Sequence, residues 1–591
     1  MAYTPNNNPY IPGDPYSYDL KWLVSKIKAH DRAIETLPAQ IQAAVIAALD
    51  QHDPIYYSTA ADLIASDQKP ASIAYIEGFN SIGDGGANLY YITDDYNDII
   101  VANFYLTMAG ANRWALPIIL TPYVTPEMFG ATSASSDNSA EFTIALKYNK
   151  PLLLAGNYTI ATPVYIPSNI TVYGGGLVNT DIAPVASGQN TGAFIIDSAA
   201  HVVIKGITFK GTGAVSAIIN KTEILIKGSE DIRVSDCRFY DIESGTVIKT
   251  KESDKVDISN NHIERYTFSG ISFVHDNKNI TVNNNYLSGL TTTANNSYPI
   301  TLSAYEANDD PDNVTVNAVC MGNIIVETTP RWEAIDAHGG ENIIVSNNNI
   351  KGTMAGVALV KTSTGTHPIN CTVSNNIIEL GTSGGAGQNC CIVSEAYNCT
   401  ITGNVCLNGN MINQGSGAFY ITGAKRTKIT GNTIINAYDT AFELRELEDV
   451  FISDNIIIGL TPTAGQSAIF SIDNSANFVN LIVTNNTASK WDISTYSTPL
   501  MIRGRASYND GSYIKFIDNS FSDTDAWSNS NAATIIISPT NYAMSSVTMG
   551  KRGDMVVHKN LGTGDPMISI CTTAWADDHT GGVWQNLGTV S

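Results

Sequence analysis

The octapeptide IIVSNNNI, Ile343 to Ile350, alternates apolar with small or polar side chains and then sets Asn347 and Asn348 before the alternation resumes. Period-2 alternation rich in β-branched residues reads as a short strand. The Asn that follows reads as a turn needing positive φ, which Asn and Gly adopt at least cost. The pattern recurs as IRVSDCRF (Ile232 to Phe239), VDISNNHI (Val256 to Ile263), ITVNNNYL (Ile280 to Leu287), CTVSNNII (Cys371 to Ile378), CTITGNVC (Cys399 to Cys406), TKITGNTI (Thr427 to Ile434), VFISDNII (Val450 to Ile457) and IKFIDNSF (Ile514 to Phe521). With the second Asn or its equivalent as marker, the positions are 237, 261, 285, 323, 348, 376, 404, 432, 455, 486 and 519, and most intervals are 23 to 28 residues. One short strand per interval cannot close a core alone. Stacked coils can, with hydrogen bonds running along the stack at about 4.8 Å per coil. The sequence therefore predicts a right-handed parallel β-helix whose marker Asn residues form an amide ladder. A leucine-rich solenoid would show a leucine consensus, and a propeller would show a period nearer about 40 residues.

The composition agrees. Only 15% of the 591 residues are charged, 43% are hydrophobic, and 47 Gly and 56 Asn carry much of the turn-forming capacity. This excludes a disordered chain and suits turns and sugar contacts. Lys plus Arg minus Asp plus Glu is 33 − 55 = −22, a field that repels phosphate backbones, so no nucleic-acid partner is expected. No stretch of about 20 apolar residues is present, so no membrane span is expected. The start of the chain lacks the basic and apolar regions of a secretory signal, which predicts synthesis in the cytoplasm of the producing cell. The eight Cys show no metal-ligand spacing; they read as buried thiols, with Cys371 and Cys399 filling the column otherwise held by Ile232, Val256, Ile280, Ile343 and Val450. No cofactor or metal is expected.

Upstream, Leu20, Leu23, Ile27, Ile34, Leu37, Ile41, Ala44 and Ala48 follow heptad spacing with His30 in the remaining slot. Pro38 divides this stretch into two short helices sharing a coiled-coil seam.

The segments Thr59 to Leu63 and Gly78 to Ile92 (GFNSIGDGGANLYYI) resemble the particle-proximal head domain of phage tailspikes and tail appendages, in which a Gly-Asp-Gly-Gly turn joins two strands. Val124 to Ala131 (VTPEMFGA), Asp137, and Pro151 to Gly176 are similar to the opening coils of pectate-lyase-like phage β-helices. The chain departs from that pattern at Ser133 to Asn138, where relatives carry an Asp-rich run. Gly553 to His558 and Cys571 to Gly588 resemble a small β end-module of such proteins. The resemblance implies a homotrimeric virion appendage. Residues 1–50 would be a coiled-coil attachment segment, 51–122 a head domain, 123–535 the β-helix and 536–591 the end-module. Residues 1–120 would join a phage tail or capsid protein, and the β-helix would present a site for host surface polysaccharide.

Chemistry is expected on an outward column of one strand per coil, read as Lys249 and Lys251, Phe273 and His275, Asp336 and His338, Tyr420 and Thr422, Glu443 and Arg445. The densest cluster is Arg331 to Gly340, which holds Arg331, Trp332, Glu333, Asp336 and His338 and follows the longest interval, 285 to 323. That insertion brings Tyr298, Tyr305, Glu306, Asp309 and Asp310. Glycoside hydrolysis needs two carboxyl groups, about 5–5.5 Å apart for retention or roughly 6.5–9.5 Å for inversion. Asp336 with Glu306 is the first pair, Asp336 with Glu333 the second, and Asp336 with a carboxylate from a neighbouring subunit the third. Glu333 alternates onto the opposite face from Asp336 unless it occupies the corner before the strand. Asp336 and Glu443 lie about 19 Å apart along the stack and cannot serve one bond. Trp332, Arg331, Tyr305, His275, Tyr420, Glu443 and Arg445 would contact sugar. A lyase would instead use His338 or Tyr305 as base with Arg331 neutralising a carboxylate, and a binding-only adhesin or structural spike would share every fold feature.

The heptads are compatible with an N-terminal segment on a symmetry axis, the alternative being a helical hairpin packed on its own chain, and the resemblance implies three chains. Light scattering on the full chain at micromolar concentration should give three times the chain mass; a monomeric mass would overturn this assembly.

Overall fold

A computed structural model describes residues 54–95, 104–109, 113–119, 121–182, 191–212, 221–242, 245–291, 297–303, 314–327, 333–381, 389–407, 417–438, 440–461, 468–472, 478–491, 500–504, 514–517, 519–521, 534–535, 555–557, 566–573 and 583–589. The heptad segment lies outside these residues. Three long sheets of 14, 13 and 15 strands carry most of the described chain. They are parallel apart from Thr534–Ile535, which runs antiparallel to Ile514–Ile517. Each coil contributes one strand to each sheet, as in Ile344–Ser346, Asn349–Lys351 and Ala355–Val360; these are called the first, second and third faces. This is the predicted parallel β-helix.

Internal packing groups the residues into two units, Met1–Thr212 with Glu223–Leu225 and Asp231–Arg238, and Gly213–Thr222 with Ile226–Glu230 and Phe239–Ser591. In the first unit, strands Ile55–Tyr57, Ile73–Ile76, Asn88–Thr93, Trp114–Ile118 and Leu106–Thr107 form one sheet. The short helix Ala60–Ile64 begins in a capping box between Thr59 and Asp62 and buries Ala60 and Leu63 with Ile76, Tyr90 and Ile92. The Gly-Asp-Gly-Gly turn does link two paired antiparallel strands of this sheet. The Asp84 carboxylate closes it by accepting from the backbone N–H groups of Phe79, Asn80, Ser81 and Gly86. Coils of parallel strands follow, such as Asn157–Ile160 paired with Leu177–Thr180.

In the second unit the corner between the first and second faces is held by the asparagine ladder. The Asn261 N–H and its Nδ2 both donate to Asn285 Oδ1 at 3.0 Å. The same double contact links 285 to 323, 323 to 348, 348 to 376, 376 to 404, 404 to 432, 432 to 455, 455 to 486 and 486 to 519. From Asn285 onward the second Nδ2 hydrogen goes to a strand carbonyl, as from Asn376 to Val345 at 3.0 Å. These amides are buried, and none of the ladder side chains is left with an unpartnered polar atom. From Asn261 to Asn486 the residue before each has positive φ, as Asn284 at 55°, Asn347 at 55° and Gly322 at 67°. At Gly322 a Cβ would come within 2.5 Å of Asn284 Oδ1, so glycine leaves room for the neighbouring coil's amide to lean in. An exposed ladder runs beside the first, Asn317 to Asn279, Asn342 to Asn317, Asn370 to Asn342 and Asn398 to Asn370, at 3.1–3.3 Å.

On the third face the inward column reads Ile248, Ile271, Ile300, Ile335, Val357, Cys391, Phe419, Phe442 and Phe470. Its last three rings stack at 5.2 Å centroid spacing. The next inward column is Thr250, Phe273, Leu302, Ala337, Leu359, Val393, Ile421 and Leu444. Phe273 is thus a core residue, 0% exposed, and not part of the outward stripe. The sequence count slipped by one there, and Ser272 and Val274 take the outward positions. All seven cysteines whose side chains are described are buried and free, as expected of core thiols. In the C-terminal block, Met555–Val557, Pro566–Thr573 and Val583–Thr589 form an antiparallel sheet.

Val345 is 0% exposed and Ile344, its neighbour on the same strand, 42%. Val345→Asp buries an unpaired charge in a stacked column and should cost several kcal/mol, whereas Ile344→Asp should cost under about 0.5 kcal/mol. Equal losses in denaturant midpoint would invert the assignment of faces.

Candidate functional site

The strand Glu333–His338 lies on the third face, where alternation sends Ile335 and Ala337 inward and Asp336 and His338 outward. Register places Asp336 beside Thr301 on one side and Ala358 on the other. His338 Nδ1 lies 2.6 Å from Asp336 Oδ1. Ser303, one coil earlier, donates from Oγ to Asp336 Oδ2 at 3.0 Å and accepts the His338 N–H at 3.3 Å. The carboxylate is therefore clamped, and its residue is only 1% exposed, while the imidazole keeps 25% of its surface in solvent.

Glu333 begins the strand and is 5% exposed. Its Oε2 has no hydrogen-bond partner among the described residues. Burial, and then repulsion from Asp336, push its carboxyl up to about 8. Burial alone would lower the His338 imidazole, but the charge and hydrogen bond of Asp336, aided by Glu333, overcome it and raise it to about 9. Tyr298 is raised as well, first by burial and then by the charges of Asp336 and Glu333. At neutral pH these shifts keep a proton on Glu333 and a positive charge on His338, so the buried cluster carries less negative charge than its two carboxyl groups alone would give. The corner position at the strand's start, rather than strict alternation, couples Glu333 to Asp336.

Three and four coils further on, Tyr420 and Glu443 share the Asp336 column through Ala358 and Ile392. The Arg445 guanidinium sits 5.3 Å from the Tyr420 ring centroid and 2.6 Å from Glu443 Oε1. His275 does not join this stripe. It sits at φ 60° past the strand end, buried, with Nε2 3.3 Å from Lys251 Nζ; Lys251, read as an exposed stripe residue, is buried too. Arg331, Trp332, Tyr305 and Glu306 lie outside the described residues, as do Asp309 and Asp310. Sequence reasoning missed Ser303 entirely; counting register forward from Ile300 would have set it next to His338. Among the described residues no group of three His, Cys, Asp or Glu could hold a metal ion, and no helix is long and apolar enough to cross a membrane.

The family described as "Right handed beta helix region" matches residues 168–378, in accord with the stacked parallel sheets: the chain is a right-handed parallel β-helix protein. No curated protein matches it. Among solved structures, it is similar to tailspike protein 2 of the Escherichia coli O157:H7 bacteriophage CAB120 at 12% identity and TM-score 0.43, over 65% of this chain and 52% of that one. It is also similar to the catalytic unit of an α-1,3-glucanase from Streptomyces thermodiastaticus at 18% identity and TM-score 0.41, over 71% and 76% of the two chains. A third is PfbA, a surface adhesin of Streptococcus pneumoniae, at 14% identity and TM-score 0.43, over 67% and 92%. The match spans about half the length of the first of these. The three differ in activity, so similarity to them does not select a function.

The raised Glu333 carboxyl makes a pH prediction. In the unfolded chain the group ionises near its ordinary 4.5, in the folded chain near 8, so between these values ionisation favours unfolding and stability falls as pH rises. Glu333→Gln lacks this linkage. Its stability relative to the parent should climb from pH 4.5 to 8 and then level; a gap independent of pH in denaturant titrations would refute the assignment.

Proposed function

We propose that the protein is a phage tailspike or tail appendage that binds host surface polysaccharide on the third face and cleaves it by glycoside hydrolysis at Glu333 and Asp336. The observation that carries the reading is a buried carboxyl, Glu333, raised so that it keeps its proton at neutral pH, beside a second carboxyl, Asp336, held in place by His338 and Ser303. Glu333 gives its proton to the leaving glycosidic oxygen as the anomeric C–O bond breaks. Water adds its hydroxyl to the anomeric carbon and its proton passes to the Asp336 carboxylate, from which Glu333 is reprotonated through solvent. His338 and Ser303 hold Asp336 in place. Tyr420, Glu443 and Arg445 bind the polymer further along the face. In this reading the chain is a homotrimer made in the host cytoplasm, carried on the virion, and joined to it through residues 1–120.

A binding-only adhesin is favoured by one observation, the near-complete burial of both carboxyl groups. The lyase reading is weakened because His338, its described base, is already an imidazolium at neutral pH.

The test is the appearance of new reducing ends from the surface polysaccharide of a strain the protein binds. Glu333→Gln and Asp336→Asn should each lower turnover by roughly 10²–10⁴-fold with little change in affinity. The parent's rate should fall as pH rises through about 8, where Glu333 loses its proton. Full activity in Glu333→Gln would remove it from catalysis, and a parent that releases no ends would leave the adhesin reading.

A further inference from the structure

Between the third face and the first, the turns of successive coils are alike. From His338 at its strand end to Asn342, from Ser394 to Asn398, from Thr422 to Arg426 and from Arg445 to Asp449, the chain takes four steps to reach a residue at positive φ. The coil that follows Asp336 and His338 is different: from Val360 to Asn370 it takes ten. The extra length lies in residues 361–368 and starts beside the site, since Val360 pairs with His338. This finger also packs on the turn just after His338. A Cβ on Gly339 would lie 2.8 Å from Thr362 Cγ2 and 3.1 Å from Thr366 Cβ, so glycine there leaves room for it.

The finger is tied down at both ends. The Lys361 N–H donates to the Ser394 carbonyl at 3.0 Å, and its Nζ lies 2.7 Å from Glu395 Oε2. Within the finger, the Thr362 N–H donates to the Thr366 carbonyl at 2.9 Å, the Gly365 N–H to the Thr362 carbonyl at 3.1 Å, and the Thr366 N–H to Thr362 Oγ1 at 2.9 Å. At its far end His367 donates from Nδ1 to the Glu395 carbonyl at 2.8 Å, and its ring stacks on Tyr397 at 4.2 Å. With Lys361 paired to Glu395, the tip presents Ser363 and Thr364, both exposed and both uncharged. Hydroxyls fixed in place before binding lose little freedom when they meet a ligand. The column of Asp336, Ala358, Ile392 and Tyr420 runs along the stack, whereas the finger stands at the strand ends, to one side of it.

We infer that the 361–368 finger sets specificity: Ser363 and Thr364 hydrogen-bond a neutral, hydroxyl-bearing side branch on the sugar unit bound at His338. This rests on the reading that the third face binds polysaccharide and does not require cleavage. A main chain that follows the Asp336 column passes beside the finger, so the finger meets what projects sideways from it.

The experiment measures binding by the full-length protein carrying Asp336→Asn, so that the polymer is not consumed. Its two probes are the surface polysaccharide of a strain the protein binds and the same material stripped of side branches by mild acid. The native polymer should bind more tightly than the stripped one. Adding Ser363→Ala and Thr364→Val, which remove both hydroxyls at nearly constant shape, should raise Kd for the native polymer several-fold. Kd for the stripped polymer should not change, which also shows that the variant is folded. Thr372→Val, which removes a hydroxyl from the first face of the same coil, should change neither. Equal Kd for the native polymer with and without the finger substitutions would overturn the inference while leaving polysaccharide binding intact, and so would equal Kd of the Asp336→Asn protein for the two polymers. A protein that binds cells of the strain but neither polymer would overturn the polysaccharide reading and this inference with it.

Discussion

Every coil of the second unit depends on one repeated contact, the acceptance by a single asparagine Oδ1 of two hydrogen bonds from the preceding coil. A strand-to-strand corner is where a solenoid leaves backbone groups unpaired, and burying them without partners would cost on the order of 1–3 kcal/mol each. The amide is the one short side chain that supplies two donors and an acceptor at once. It fixes the register of the faces it joins, and the third face inherits that register. The placement of Asp336 beside Thr301 and Ala358, and of Ser303 beneath His338, therefore follows from contacts on a different side of the coil.

The cluster on the third face shows why a strongly acidic chain can bury carboxyl groups. With a net charge of −22, further desolvated negative charge would be poorly tolerated. The cluster resolves this by proton retention at Glu333, caused first by burial and then by Asp336, and by imidazolium formation at His338, where Asp336 overcomes burial. Removing Asp336 would thus change the protonation of both neighbours.

The repeat made the fold legible because the ladder demands one residue type at one position in every coil, and the turn before it demands Asn, Asp or Gly. Nothing comparable constrains the outward face, where Lys249, Ser272, Thr301, Asp336, Ala358, Ile392 and Tyr420 succeed one another in a single column. Reading it required exact register, and the miscount at Phe273 moved His275 and Val274 out of place. Asp336 and His338 survived because they sit two apart on one strand. The role of Ser303 depends on contact between coils that are 35 residues apart in sequence, and the role of Glu333 depends on a corner that alternation does not describe. The second asparagine ladder was overlooked because its members fall among ordinary turn residues.

The thiols of Cys237, Cys320, Cys371, Cys390, Cys391, Cys399 and Cys406 are all unbridged and enclosed in the core. Oxidants act on thiolates they can reach, and burial excludes them here; at Cys237 and Cys320 desolvation also pushes the thiol up to about 12. The described core accordingly holds together without a disulfide, so its maturation needs no disulfide exchange and a reductant finds no bond there to cut.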